Sequence, residues 1–142
     1  VIREHAAVIS GSTALYFFMP DSGWHPNDLD IYVADGNWTS FLRTVQSPEG
    51  LNWSKTPPSQ AAGSDDADNV PGRSIDAARG LRSVRRFYTP NGRRVDVIRS
   101  PSNNAITPLR FFWSSAVMNF ISPDACFCGF PRATLARRGA LK

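Results

Sequence analysis

The chain has 142 residues, of which 42% are hydrophobic and 20% charged, with 4 Trp, 9 Phe and 3 Tyr. This apolar content is enough for one globular core but not for two, and it excludes a disordered or fibrous chain. No apolar run approaches the roughly 18 to 20 residues needed to span a bilayer, so the sequence also excludes a membrane-spanning protein. We therefore expect residues 1–142 to form a single domain. Because the chain starts at Val1 rather than Met, we expect this domain to be a fragment of a longer protein.

The formal net charge of +4 hides an asymmetry between the two halves of the chain. Residues 1–72 hold 3 basic and 9 acidic residues, whereas residues 73–142 hold 13 basic and 3 acidic residues. The two halves therefore carry net charges of −6 and +10. Such polarity suits a protein that gathers cations in one place and phosphates in another. The alternative is a basic surface that is merely solvated.

The two cysteines bear on the compartment of the protein. Cys126 and Cys128 are one residue apart, and a disulfide between such close neighbours would be strained. We therefore expect no secreted disulfide framework and a reducing, intracellular compartment, either the cytoplasm or the nucleus. Since neither a His nor a second cysteine pair lies nearby in the sequence, we do not expect the two thiols to bind zinc.

The first third of the chain predicts two strands that alternate with two helices. Residues 6–9 are an apolar run that ends at a Ser-Gly-Ser turn, which is typical of a buried strand. Residues 13–19 are predicted to be helical, with Ser12 as the N-cap. Residues 28–33 alternate between polar and apolar side chains, as a half-buried strand does. Apolar residues then recur at spacings of three and four over residues 38–45, which predicts an amphipathic helix.

The remaining two thirds predict an insertion, a hairpin and two helices. Residues 47–74 are mainly Pro, Ser, Gly, Ala, Asn and Asp, and we expect them to be a mobile or disordered insertion because they cannot bury an apolar face. Residues 83–88 and 93–99 flank a Pro-Asn-Gly turn and predict an antiparallel hairpin. The apolar residues 109–121 predict a buried helix, and residues 132–138 predict a short basic one.

Three aspartates are the candidate metal ligands. Asp28 and Asp30 are two residues apart on a predicted strand, so both carboxylates project from the same face and repel each other unless a cation lies between them. Asp96 lies between two valines in the second hairpin strand, and that strand could pair beside the first and add a third carboxylate. Three convergent carboxylates suit Mg²⁺ or Mn²⁺, and a pair of such ions stabilises phosphoryl transfer. For Asp96 the alternative is a set of salt bridges to the flanking arginines.

Gly11 and Ser12 are the candidate phosphate-binding residues. With no side chain at Gly11, a phosphate could approach the backbone closely. The hydroxyl and amide of Ser12 lie at the start of the predicted helix, where free N–H groups and the helix dipole favour anions. Arg85 and Arg86 are further candidates for contact with a triphosphate or an RNA backbone, although arginines on hairpins are commonly only solvated. His25 is interpreted as a solvated loop residue.

The order of these motifs resembles the nucleotidyltransferase superfamily, which includes DNA polymerase beta, poly(A) polymerases, CCA-adding enzymes and antibiotic-modifying nucleotidyltransferases. The matching segments are ISGSTAL at residues 9–15, DLDIYV at residues 28–33 and RVDVI at residues 94–98. The apolar and basic tail is similar to that of nucleotidyltransferase-like proteins of mushroom-forming fungi. The resemblance implies an α/β domain of the α+β type, with a small mixed or antiparallel sheet flanked by helices.

The resemblance also implies an activity and a role for each candidate residue. Gly11 and Ser12 would contact the phosphates of a nucleoside triphosphate, and Asp28 and Asp30 would bind divalent ions. Asp96 would hold the ion that activates the acceptor hydroxyl. The activity implied is transfer of a nucleoside monophosphate to a hydroxyl acceptor, which could belong to an RNA or a protein. The alternative is a catalytically silent domain of the same fold that binds nucleic acid or a protein partner.

Overall fold

A computed structural model of the protein describes residues 1–58, 83–111 and 118–136. In these residues six strands form one mixed sheet with few helices beside it, so the protein has a mixed α/β architecture. The helices and strands, in chain order, are β1 (Val8–Ser10), α1 (Gly11–Phe18), β2 (Asp28–Val33), α2 (Trp38–Gln46), β3 (Ser83–Tyr88), β4 (Arg94–Arg99), β5 (Asn119–Ile121), β6 (Cys126–Cys128) and α3 (Pro131–Leu135).

The sheet has the strand order β3-β4-β2-β1-β5-β6. Strands β3 and β4 form the predicted antiparallel hairpin, in which Arg86 is paired with Asp96. Strand β4 then pairs in parallel with β2, and this register places Asp30 opposite Asp96. The other described pairs are antiparallel. The parallel pair brings together two strands that are separated by more than sixty residues in the sequence.

One face of the sheet is covered by α2. Its apolar side chains Trp38, Phe41 and Val45 are buried, as the spacing of three and four predicts. They pack against Ala7, which precedes β1, and against the strand residues of the same core, which are Ile31, Val33, Phe87, Val95 and Val97. Because successive side chains of a strand point to opposite faces, the neighbours of these residues must lie on the other side of the sheet.

The opposite face carries both a second apolar cluster and the three aspartates. Val8, Tyr32 and Ile98 form the apolar cluster with Ala105 and Leu109 from the segment after β4. Asp28, Asp30 and Asp96 continue the same face along β2 and β4. Helix α1 lies against β1, β2 and β5 and starts immediately after β1. The aspartates are therefore placed where the start of α1 meets the sheet.

The predicted buried helix over residues 109–121 is wrong at its C-terminal end. Residues 119–121 form β5, which pairs with β1 through Ile9 and Ile121 and with all of β6. A 3-10 helix occupies Thr107–Phe111, and residues 112–117 lie outside the described residues. A continuous apolar run does not by itself distinguish a buried helix from a buried strand. The pairing with β1, which is distant in the sequence, decides the outcome.

The start of the predicted insertion is packed on the domain. Leu51 and Trp53 pack against the core beneath α2, and Ser54 forms a bridge to Tyr88 through two backbone hydrogen bonds of 3.0 and 2.8 Å. The rest of the predicted insertion, residues 59–74, lies outside the described residues. The predicted basic helix over residues 132–138 corresponds in part to α3. Within the described ranges, no helix is long and apolar enough to cross a membrane.

Candidate functional site

Strands β2 and β4 bring the three candidate carboxylates to one place. The period of two along β2 puts Asp28 and Asp30 on the same face, and the parallel register puts Asp96 beside Asp30. The charges of Asp28 and Asp96 both act on Asp30. The structure therefore assembles the three acids that the sequence analysis selected.

Two arginines, Arg94 and Arg86, neutralise two of the three carboxylates. The guanidinium of Arg94 donates to Oδ2 of Asp28, and its Nε lies 3.9 Å from Oδ2 of Asp96. The Nε of Arg86 donates to Oδ1 of Asp96 at 3.1 Å. The hydrogen bond from Arg94 to Asp28 raises the pKa of the guanidinium further. The alternative interpretation of Asp96, as a partner in salt bridges, therefore describes its contacts in the structure.

From the sequence alone, Arg94 is considered only as one of the arginines that flank Asp96 and not as a residue of the site. It lies two residues before Asp96 on β4, so both side chains share one face of the sheet. The register of β2 and β4 also places it opposite Asp28. Among the described residues its buried Nε has no hydrogen-bond acceptor. Arg94 therefore offers an unused N–H donor within the acid cluster.

Asp30 differs from Asp28 and Asp96 in its contacts with the other described residues. Within the described part of the chain, no side chain forms an ion pair or hydrogen bond with it, whereas Asp28 and Asp96 each have an arginine. Burial raises the pKa of Asp30 to about 7, and the nearby charges of Asp28 and Asp96 add to this effect. Burial and the same cluster of acids also raise the pKa of Tyr32, which stays neutral. At neutral pH Asp30 is therefore partly protonated, and a cation bound beside it would displace this proton.

Gly11 and Ser12 lie directly beside this cluster. Gly11 has a φ of +65°, and a Cβ at this position would lie 3.0 Å from Cγ of Asp30 and would overlap its Oδ2. The backbone can approach Asp30 this closely only because residue 11 has no side chain. Ser12 donates from Oγ to Oδ1 of Asp28 at 3.4 Å, and Thr13 donates from Oγ1 to the carbonyl oxygen of Asp28 at 3.0 Å. The start of α1 is thus held against β2.

The predicted N-cap role of Ser12 is wrong. Helix α1 starts at Gly11, so that Ser12 lies in its first turn and Ser10 occupies the cap position. The hydroxyl of Ser10 does not cap the helix, because it donates to the carbonyl oxygen of Asn119 on β5. The first amides of a helix lack intrahelical acceptors. The amides in the first turn of α1, including that of Ser12, are therefore still suited to binding an anion.

A cavity of about 480 Å³ adjoins the acid cluster. Ser12, Asp28 and Arg94 line one part of it, and the loop residues 24–27 line the rest. His25 is exposed, as its interpretation as a solvated loop residue requires. It nevertheless contributes to the wall of the cavity, a position that no sequence pattern predicted. The cavity extends the candidate site beyond the three acids.

The donor set of the cluster fits a hard divalent cation. Carboxylate oxygens are the ligands that Mg²⁺ and Mn²⁺ prefer, and a cation bound beside Asp30 would stabilise the ionised form of this carboxyl. In the described residues, no three His, Cys, Asp or Glu side chains are already arranged as a metal-binding group. Arg94 and Arg86 now contribute the positive charge to this cluster. A cation entering beside Asp30 would share the carboxylates of Asp28 and Asp96 with these arginines.

No family model, curated protein or solved structure matches this chain. The chemistry of the candidate site therefore has to be inferred from its own residues.

Proposed function

We propose that this domain is a metal-dependent nucleotidyltransferase that moves a nucleoside monophosphate from a nucleoside triphosphate to a hydroxyl acceptor. The observation that carries this proposal is the position of Gly11 against Asp30. This contact places the N-terminus of α1, where free amides can bind an anion, next to a cluster of three carboxylates. A site with both features can hold the phosphates of a nucleotide next to the divalent cations that accompany them.

Each residue of the site has a role in this proposal. Asp28, Asp30 and Asp96 would hold Mg²⁺ or Mn²⁺, which would supply charge stabilisation for the attacking and leaving oxygens. Gly11 and Ser12 would bind the triphosphate through the first turn of α1, and Arg94, which lines the adjoining cavity, would place its positive charge near a phosphate oxygen. The fold that the resemblance implies, a nucleotidyltransferase fold, is part of the same proposal. The six-stranded mixed sheet is compatible with it.

The proposed reaction is an in-line displacement at the α-phosphorus. The acceptor oxygen forms a bond to this phosphorus, and the bond to the bridging oxygen of the β-phosphate breaks. Pyrophosphate leaves with the electron pair of the broken bond. The hydroxyl proton passes to a carboxylate oxygen of Asp96, the acid assigned to the acceptor side. The acceptor itself is proposed only as a hydroxyl of RNA or protein.

A second candidate function is a catalytically silent domain that binds nucleic acid or a protein partner. The observation that favours it is the pairing of Asp28 with Arg94 and of Asp96 with Arg86. These ion pairs stabilise the cluster without a metal ion. In a silent domain they would be the permanent state of the site.

A transfer assay distinguishes the two functions. The protein is incubated with α-labelled nucleoside triphosphates, Mn²⁺ and a pool of RNA and protein acceptors, and we expect covalent label on one class of acceptor. Asp30→Ala should abolish the transfer, because the loss of the central carboxylate removes transition-state stabilisation. Ser12→Ala should lower it less, since the backbone amide of residue 12 remains. Asp124→Asn, a change at an exposed carboxylate paired with Arg3, should leave it unchanged. Binding of nucleotide and metal without any transfer would support the silent domain.

A further inference from the structure

Residues of the proposed catalytic site line only part of the adjoining cavity. Its volume of about 480 Å³ lies in the range of pockets that bind an organic molecule, and the cavity is open to solvent. Ser12, Asp28 and Arg94 belong to the proposed catalytic site. The wall formed by residues 24–27 has no role in that site.

Two aromatic side chains of this wall are held in place by α1. The ring of Tyr16 meets the Trp24 indole edge to face, with 5.6 Å between the ring centroids. The same ring lies 5.3 Å from the His25 imidazole in a tilted arrangement. Trp24 is half-buried and His25 is exposed. Tyr16 thus anchors the loop on the helix whose first turn would bind the triphosphate.

The chemistry of the wall suits a flat, polar heterocycle. Trp24 and His25 contribute aromatic rings to the lining of the cavity, and nucleobases of any kind can stack on such rings. The exposed Asn27 side chain carries both donors and an acceptor for the edge of such a ring. The lining also includes the hydroxyl of Ser12 and the ion pair of Arg94 with Asp28. The cavity therefore combines aromatic rings that suit a base with polar groups that suit phosphates.

We propose that residues 24–27 form the nucleobase subsite of this domain, with Trp24 as the stacking surface and Asn27 as the group that contacts the base edge. The inference rests on the proposed function for the position of the triphosphate at Ser12 and Arg94. In this inference residues 24–27 determine the specificity for the base, a role that the three acids do not have.

Calorimetric binding of Mg²⁺-ATP and Mg²⁺-tripolyphosphate tests the subsite, because the second ligand has the phosphates without the base. We expect Trp24→Ala to weaken ATP binding on the order of tenfold, the size typical of one lost stacking contact, and to leave tripolyphosphate binding unchanged. Trp24→Phe should recover most of the ATP affinity. Phe17→Ala is the matched control, since Phe17 is an aromatic residue of α1 that is 54% exposed and does not line the cavity. Retained tripolyphosphate binding shows that a variant is folded.

The outcomes separate this inference from the proposed function. Equal losses for both ligands, or an unchanged ATP affinity in Trp24→Ala, would overturn the nucleobase subsite. If Trp24→Ala weakens ATP binding selectively but no acceptor is labelled in the transfer assay, the subsite stands and the transferase activity is overturned. If transfer occurs and Trp24→Ala leaves the KM for ATP unchanged, the activity stands and the subsite is overturned. Failure of the unaltered protein to bind either ligand would overturn both.

Discussion

The backbone of Gly11 lies directly against the carboxylate of Asp30. Residue 11 has a φ of +65°, and a Cβ added there would come within 3.0 Å of Cγ of Asp30. Two constraints therefore act at the same position, one on the backbone conformation and one on the space beside the acid. The start of α1 and the acid cluster on β2 form one site because both constraints are met by glycine.

Gly11→Ala should destabilise the protein by more than backbone strain alone. Strain at a left-handed residue costs about 1 to 3 kcal/mol, and the contact with Asp30 adds to it. Gly23→Ala is the matched control, because Gly23 has a φ of +81° and nothing lies within 4 Å of an added Cβ. Urea unfolding should show a larger loss for Gly11→Ala than for Gly23→Ala. Adding Asp30→Ala to Gly11→Ala should restore part of the difference, and a purely additive double variant would contradict the contact.

The stability of the metal-free protein should fall as the pH rises, because Asp30 is buried near two other acids. Burial first, and then Asp28 and Asp96, raise its pKa from 3.8 to about 7. Between these values the folded protein keeps a proton that the unfolded chain has released. The contribution of Asp30 is therefore fully present below 3.8 and is lost as the pH rises through about 7.

Urea unfolding at about pH 5 and about pH 8, with a chelator present, measures this contribution. Asp30→Asn should remove it and reduce the difference between the two pH values. Asp124→Asn, which changes a carboxylate that is 72% exposed, should keep the difference of the unaltered protein. The explanation fails if Asp30→Asn has the same pH dependence as the unaltered protein.

Mg²⁺ or Mn²⁺ should raise the melting temperature by relieving the repulsion among the carboxylates of Asp28, Asp30 and Asp96. A ligand that binds only the folded state stabilises it by mass action, by about 2.7 kcal/mol at a hundred times its Kd. Asp28→Asn and Asp30→Asn should each abolish the metal-dependent shift in a thermal unfolding experiment. Glu49→Gln, at an exposed position after α2, should retain it. An unchanged shift in both aspartate variants would place the ion elsewhere.

Arg94→Gln should make the protein more dependent on metal. Arg94 pairs with Asp28 and lowers the pKa of Asp30, so that its loss leaves the acid cluster with less positive charge. The metal-free protein should lose about 1 kcal/mol of stability, a modest value because the ion pair is partly exposed. The stabilisation by Mg²⁺ should increase, since the metal would replace the missing charge. Arg93→Gln, at the exposed neighbouring position, should change neither quantity. A smaller Mg²⁺ effect in Arg94→Gln would show instead that Arg94 supports metal binding.

Local patterns in the sequence determined the secondary structure around the site. The period of two predicted β2 and placed Asp28 and Asp30 on one face, and the turn after Tyr88 predicted the hairpin of β3 and β4. The spacing of apolar residues predicted α2. These patterns succeed because each depends on interactions between residues that are close in the chain.

Only the tertiary structure decided which distant residues meet. The parallel register that sets Asp96 beside Asp30, the approach of Gly11 to Asp30, and the ion pair of Arg94 with Asp28 all join residues from different strands or helices. The strand at residues 119–121 is a further example, because its pairing with β1 and β6 outweighs a local pattern that was compatible with a helix. Strand pairing and register depend on which surfaces the whole chain can bury together, and this information is not contained in any short segment. The sequence alone could therefore identify the acids, the glycine and the salt bridges of Asp96 to flanking arginines as an alternative, whereas the pairing of Arg94 with Asp28 and the wall formed by residues 24–27 emerged only from the folded chain.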